Sequence, residues 1–201
     1  MHNNKIIKRR IKSTDVIVQI FSALFWILVM LGLDGVKGAV LTLLAVLIHE
    51  IGHVAALFVL GHGGGIPLPR MPGFSIRVSA TLSYKEDIAV AAAGPLANLI
   101  VAAMLLPMRQ AAWAMILINL LTAISNLLPV RGYDGYRILA SVIAISGTER
   151  FLGRLPDALS FATAMSAVLL SLYFIYAFDA GYWIFGVFFI FLLVEVKKSL
   201  K

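Results

Sequence analysis

Apolar residues in this chain come in long unbroken runs, and that pattern limits the fold more than any other feature. The runs cover 16–33, 39–60, 88–106, 111–128, 159–178 and 182–196. A helix of about 20 apolar residues matches the hydrocarbon thickness of a bilayer. Backbone surrounded by lipid must satisfy its own hydrogen bonds, which helices do within a single segment. The expected fold class is therefore an α-helical polytopic membrane protein with six transmembrane helices. A composition of 61% hydrophobic and 13% charged residues agrees with this. In 201 residues, six spans and their connections leave no room for an appended soluble domain, so 1–201 is expected to be one membrane-embedded domain.

The charged residues set the orientation. Five basic residues, Lys5, Lys8, Arg9, Arg10 and Lys12, precede the first run, as they would in a signal peptide. That run is long, however, and no small-x-small cleavage pattern follows it, so it reads as a retained span. With six spans and a cytoplasmic N-terminus, every Lys and Arg except Lys37 and Arg109 falls on the inner side. Basic residues are retained on that side, so both termini are expected in the cytoplasm. The same distribution argues against a nucleic-acid partner despite the net charge of +7, because the cations are spread over loops and tails. The absence of cysteine excludes disulfides and thiolate metal sites and leaves imidazole and carboxylate as the strong ligands.

Within the second run stands His49-Glu50-Ile51-Gly52-His53. Ionisable groups at membrane depth are costly and mark functional sites. On a helix, two histidines four residues apart project within about 40° of each other and can share one metal ion. Glu50 lies about 100° round, near such an ion but not on it. With 4 His and 4 Glu in the chain, this pattern arises by chance on the order of one or two times in a thousand. The bland reading is a pair of histidines hydrogen-bonded between packed helices. In the six-span topology His53 lies about 10 Å above the inner end of its helix, so the site is expected to open to the cytoplasmic side.

Catalytic zinc takes three protein ligands and keeps a fourth position for water. His62 lies about 180° round the helix from His53 and His2 is in the tail, so neither joins the pair. Asp134 is the strongest candidate. It follows Pro129, which ends the fourth span, in a stretch where Gly132 and Gly135 let the backbone turn inward. The competing reading is a turn aspartate that caps a helix. Three asparagines, Asn98, Asn119 and Asn126, lie in apolar spans, and interhelical hydrogen bonding accounts for them.

Between the second and third spans, the glycines of 61–65 and Pro67, Pro69 and Pro72 forbid a continuous helix. Strict alternation of apolar and polar residues over 74–84 then predicts a membrane-associated β-strand or hairpin after the second helix, or equally an amphipathic connector. As a strand it offers an edge that could hold an unwound peptide. The segment 136–146 is apolar but short and reads as an interfacial helix.

Taken together, these residues resemble the site-2 proteases, intramembrane zinc metalloproteases that cleave membrane-embedded or membrane-tethered proteins. The resemblance rests on His49-Glu50-x-x-His53, on Gly94-Pro95-x-x-Asn98, and on Asn126-x-x-Pro129 followed by Asp134-Gly135, and it covers a catalytic core of about 39–137. It implies that His49, His53 and Asp134 are ligands of one Zn2+, that Glu50 is the general base, and that Asn98 and Asn126 help to position substrate. Gly132-Tyr133 stands where many members have Pro-Leu, and there is no room for their PDZ or CBS modules. The chain looks most similar to compact bacterial members near the sporulation protease that processes a sigma-factor precursor. The implied partners are the lipid bilayer, a membrane protein substrate, and a regulatory membrane protein or a second copy of the chain. Two rivals from other classes are a zinc or cation transporter, since polar residues at membrane depth also line ion pathways, and a catalytically silent membrane partner.

Overall fold

A computed structural model describes residues 6–7, 13–62, 82–178 and 183–199. In chain order these form strand β1 (Ile6–Ile7), helix α1 (Ser13–Val59), strand β2 (Leu82–Ser83), and helices α2 (Tyr84–Leu105) and α3 (Arg109–Leu127). Helices α4 (Asp134–Ser146), α5 (Glu149–Leu152), α6 (Leu155–Phe178) and α7 (Trp183–Ser199) follow. The chain is mostly helical. Among the described residues, three helical stretches, Gly35–Val59, Tyr84–Leu127 and Glu149–Ala177, are long and apolar enough to cross a membrane.

The first two apolar runs lie in a single helical element of 47 residues. Gly35, with φ +61°, separates them, because a left-handed residue cannot carry a right-handed helix straight on. Between α2 and α3 a 3-10 turn at Leu106–Met108, carrying Pro107 in its first turn, joins helices that pack against each other.

Helix α2 begins earlier than its hydrophobicity suggests. Ser83 accepts a hydrogen bond from Glu86 N, and the Glu86 side chain reaches back to Ser83 N, a capping box that starts the helix at Tyr84. Tyr84 is therefore helical, whereas the alternation carried the strand through it. The two described strand residues pair antiparallel with the N-terminal tail, Ile6 opposite Ser83 and Ile7 opposite Leu82. The expected strand over 74–81 lies outside the described residues. The segment 136–146 is helical as expected, within α4, and packs on α2.

Burial is inverted relative to a water-soluble bundle. Leu43, Leu47, Ile51 and Phe58 of α1 face outward, while Thr42, Ala45, His49 and Gly52 face the other helices. The interior holds Asp87, Asn98, Asn119, Thr122, Asp134, Ser141, Ser160 and Glu195. Helix α2 is the centre of this interior and packs against α1, α3 and α4. Helices α6 and α7 form a second packed unit around Ala164, Val168 and Leu192.

Polar contacts tie that unit to the loop after α3. Arg131 donates its backbone N–H to Ser160 Oγ at 2.9 Å and its Nε to Asp157 Oδ1 at 2.9 Å, and Tyr136 donates its hydroxyl to the same oxygen at 2.6 Å. Glu195 of α7, fully buried, faces Arg131 Nε across 3.5 Å as an ion pair, and its Oε1 makes no hydrogen bond.

Candidate metal centre

The HExxH segment lies in the last third of α1 and turns both histidines toward α2. The imidazoles meet edge to face, with ring centroids 4.7 Å apart. Each is oriented by its Nδ1. His53 Nδ1 lies 2.7 Å from the carbonyl oxygen of Val90, which can only accept, so Nδ1 carries the proton. His49 Nδ1 lies 2.9 Å from Asn98 Oδ1. The Asn98 amide is oriented in turn, because its Nδ2 donates to Ala45 O at 2.9 Å and to Asn119 Oδ1 at 2.8 Å. With both protons placed on Nδ1, each neutral ring presents Nε2 as an acceptor.

Asp134 completes the group. Leu128 is extended ahead of Pro129, as the residue before a proline tends to be, and this ends α3 at Leu127. The chain then turns through Arg131 and Gly132 into α4, which Asp134 opens. Gly135 lies directly against the carbonyl of Leu127, where any side chain would collide with backbone. The loop is thereby seated on the end of α3, and the Asp134 carboxylate points at the histidines. Asp134 does not cap α4, since Tyr133 occupies the N-cap position and no side chain bonds there.

Asp134 Oδ2 lies 3.0 Å from His49 Nε2 and 3.2 Å from His53 Nε2, and the two Nε2 atoms are 3.1 Å apart. Three acceptor atoms in van der Waals contact repel one another unless a positive charge, a proton or a metal ion, lies among them. Ligands about 2.0–2.1 Å from a tetrahedral zinc stand about 3.3 Å from each other, close to the separations seen. The His-His-Asp group therefore fits a metal ion.

Gly94 of α2 closes the group from one side. A Cβ there would be closest to His53 Nε2, 2.5 Å from His53 Cε1 and 2.8 Å from His49 Nε2. A glycine in mid-helix costs about 1 kcal/mol relative to alanine, and here the close approach of the ligand atoms requires it. Glu50, half-buried, follows His49 directly in α1 and lies three residues before His53.

Of the residues singled out from sequence, the fold brings together His49, His53, Asp134 and Asn98, with Glu50 beside them. Asn126 is not in this group: half-buried in α3, it donates Nδ2 to Thr122 O of its own helix. Asn119, seven residues earlier on the same face, is the α3 residue that reaches Asn98. Sequence reasoning did not find Arg137, whose Nη1 lies 3.3 Å from Asp134 Oδ1 and whose Nη2 lies 2.8 Å from Asp87 Oδ1. The available signal was the spacing of Asp134 and Arg137, opposite charges three residues apart at a helix start. No protein-family model, curated protein or solved structure matches the chain.

Proposed function

We propose that the protein is an intramembrane zinc metalloendopeptidase of the site-2 protease type, which hydrolyses peptide bonds of membrane-embedded or membrane-tethered proteins. The observation that carries this reading is the convergence of His49 Nε2, His53 Nε2 and Asp134 Oδ2 beside Glu50. Sites built only to bind or pass an ion need no general base.

His49, His53 and Asp134 would hold the ion. When bound, zinc lowers the pKa of its water towards about 7 and polarises a substrate carbonyl as a Lewis acid. Glu50 takes the proton of the attacking water and passes it to the leaving amide nitrogen. Asn98 and the Val90 carbonyl keep both imidazoles in the ligating tautomer throughout. A helical substrate must unwind before its amide is accessible.

The finer topology belongs to the same proposal. The two halves of α1 on either side of Gly35, with α2, α3, α6 and α7, make six spans with both termini and the opening of the site on the cytoplasmic side. Helix α4, at 13 residues about 20 Å long, is too short to cross.

The test compares N-terminal peptides from cells producing the wild type with those from cells producing Glu50→Gln, at equal abundance and zinc content. New termini near a membrane segment in the wild type, and accumulation of the uncut precursor in the variant, are expected. Identical profiles with both proteins zinc-loaded would refute proteolysis and favour transport or a silent partner.

A further inference from the structure

Asp87 lies in the first turn of α2, 47 positions before Asp134, and is almost fully buried. Its Oδ1 accepts from Arg137 Nη2 at 2.8 Å and its Oδ2 from Ser141 Oγ at 2.8 Å, so both oxygens are held. Arg137 spans the gap between the two acids and donates Nη1 to Asp134 Oδ1 at 3.3 Å. The opposite oxygen of Asp134, Oδ2, is the one that faces the histidines. A carboxylate at the head of a short helix can rotate about its χ angles and present either oxygen, or both, to a metal. Arg137 removes that freedom by engaging one oxygen, and Arg137 itself would be free to swing without the anchoring acid on α2.

A second observation points the same way. Asp87, Val90, Gly94 and Asn98 fall within an arc of about 80° on α2. Val90 orients His53, Asn98 orients His49, and Gly94 sits against both ligating nitrogens. Asp87 is the fourth member of this row, and through Arg137 it reaches the third residue of the group, Asp134.

We propose that Asp87 is a positioning residue that acts through Arg137 to fix which oxygen of Asp134 faces His49 and His53. The inference rests on the reading of these three residues as a metal centre. Ser141 completes the device by holding the second oxygen of Asp87. Partners beyond the ligands that orient them typically change metal affinity 10–100-fold when lost.

The test is a double-mutant cycle on zinc affinity, measured by chelator competition on the purified, detergent-solubilised protein. Asp87→Asn and Arg137→Gln are each expected to weaken zinc 10–100-fold, and the double variant to be no weaker than the worse single. Asp87→Glu should recover part of the loss. Losses that multiply in the double variant would show that Asp87 does not act through Arg137. Zinc binding unchanged in Asp87→Asn, in a protein whose His49→Ala variant loses zinc, would overturn the positioning role while leaving the metal centre intact. Failure of the wild type to bind zinc, or binding unaffected by His49→Ala, would instead overturn the metal reading. If Asp87→Asn does not fold, Ser141→Ala carries the test: a several-fold weakening is expected, and wild-type affinity overturns the proposal.

Discussion

Replacing Gly94 by alanine tests the metal centre at its tightest point. The new methyl would stand 2.8 Å from His49 Nε2, 2.5 Å from His53 Cε1 and slightly closer still to His53 Nε2. An ordinary contact needs about 3.5 Å, so the rings must retreat by roughly 0.7–1 Å. Neither can do so freely, because Asn98 and the Val90 carbonyl hold them by Nδ1 at 2.9 and 2.7 Å. Metal–ligand distances tolerate only about ±0.2 Å, so two of three ligands would leave the bonding range. We expect zinc affinity to fall by more than 100-fold, which is about 2.7 kcal/mol or more. Stability without metal should change far less, since about 1 kcal/mol of improved helix propensity opposes an overpacking cost of about 1–3 kcal/mol. Zinc content and chelator competition measure the first quantity, and far-ultraviolet circular dichroism checks the fold. Gly186→Ala is the control, because a Cβ at Gly186 meets nothing within 4 Å. Gly94→Ala protein that binds one zinc with wild-type affinity would refute the reasoning.

Asn98→Ala removes the acceptor of His49 Nδ1, and zinc affinity should fall 10–100-fold in the same competition assay; unchanged affinity would mean that the tautomer is set by something else. Arg131→Met strands the buried Glu195 carboxylate and should destabilise the protein by about 3 kcal/mol in mixed-micelle unfolding. Adding Glu195→Gln should restore part of this, and no recovery would remove that ion pair from the account. Burial and the hydrogen bond to Asp157 push the Tyr136 phenol up to about 12. Its stabilising effect is therefore complete below about pH 10 and lost as the pH rises through about 12. The tyrosinate absorbance of wild type minus Tyr136→Phe should show that late titration, and a midpoint near 10 would contradict it.

What sequence made legible here is local in character. The i, i+4 spacing of His49 and His53 guarantees a shared face whatever the tertiary structure, and the Pro129-to-Gly135 stretch marks a backbone free to turn Asp134 inward. Distant pairings were not legible. Asn119 and Asn126 share a face of α3, and only the depth at which α3 packs decides that Asn119 meets Asn98. Asp87 and Arg137 are 50 residues apart, and nothing in either neighbourhood names the other. Ile6–Ile7 is too short for any periodicity to reveal its pairing with β2. Tyr84 shows two local signals in conflict: alternation favoured a strand, while Ser83-x-x-Glu86 spelled a helix start, and the capping hydrogen bonds decided it.

The row Asp87, Val90, Gly94 and Asn98 makes α2 a common ruler for the three residues of the candidate metal centre, which come from two other helices. His49, His53 and Asp134 are each referred to the same rod, over a length of about 17 Å. Small rocking motions of the rod carry all three along and leave their mutual distances alone. A slide by one residue along its axis breaks every reference at once. On the proposed reading of this group as a metal centre, metal release and undocking of α2 should accordingly behave as one event, with no intermediate in which two of the three residues remain in place.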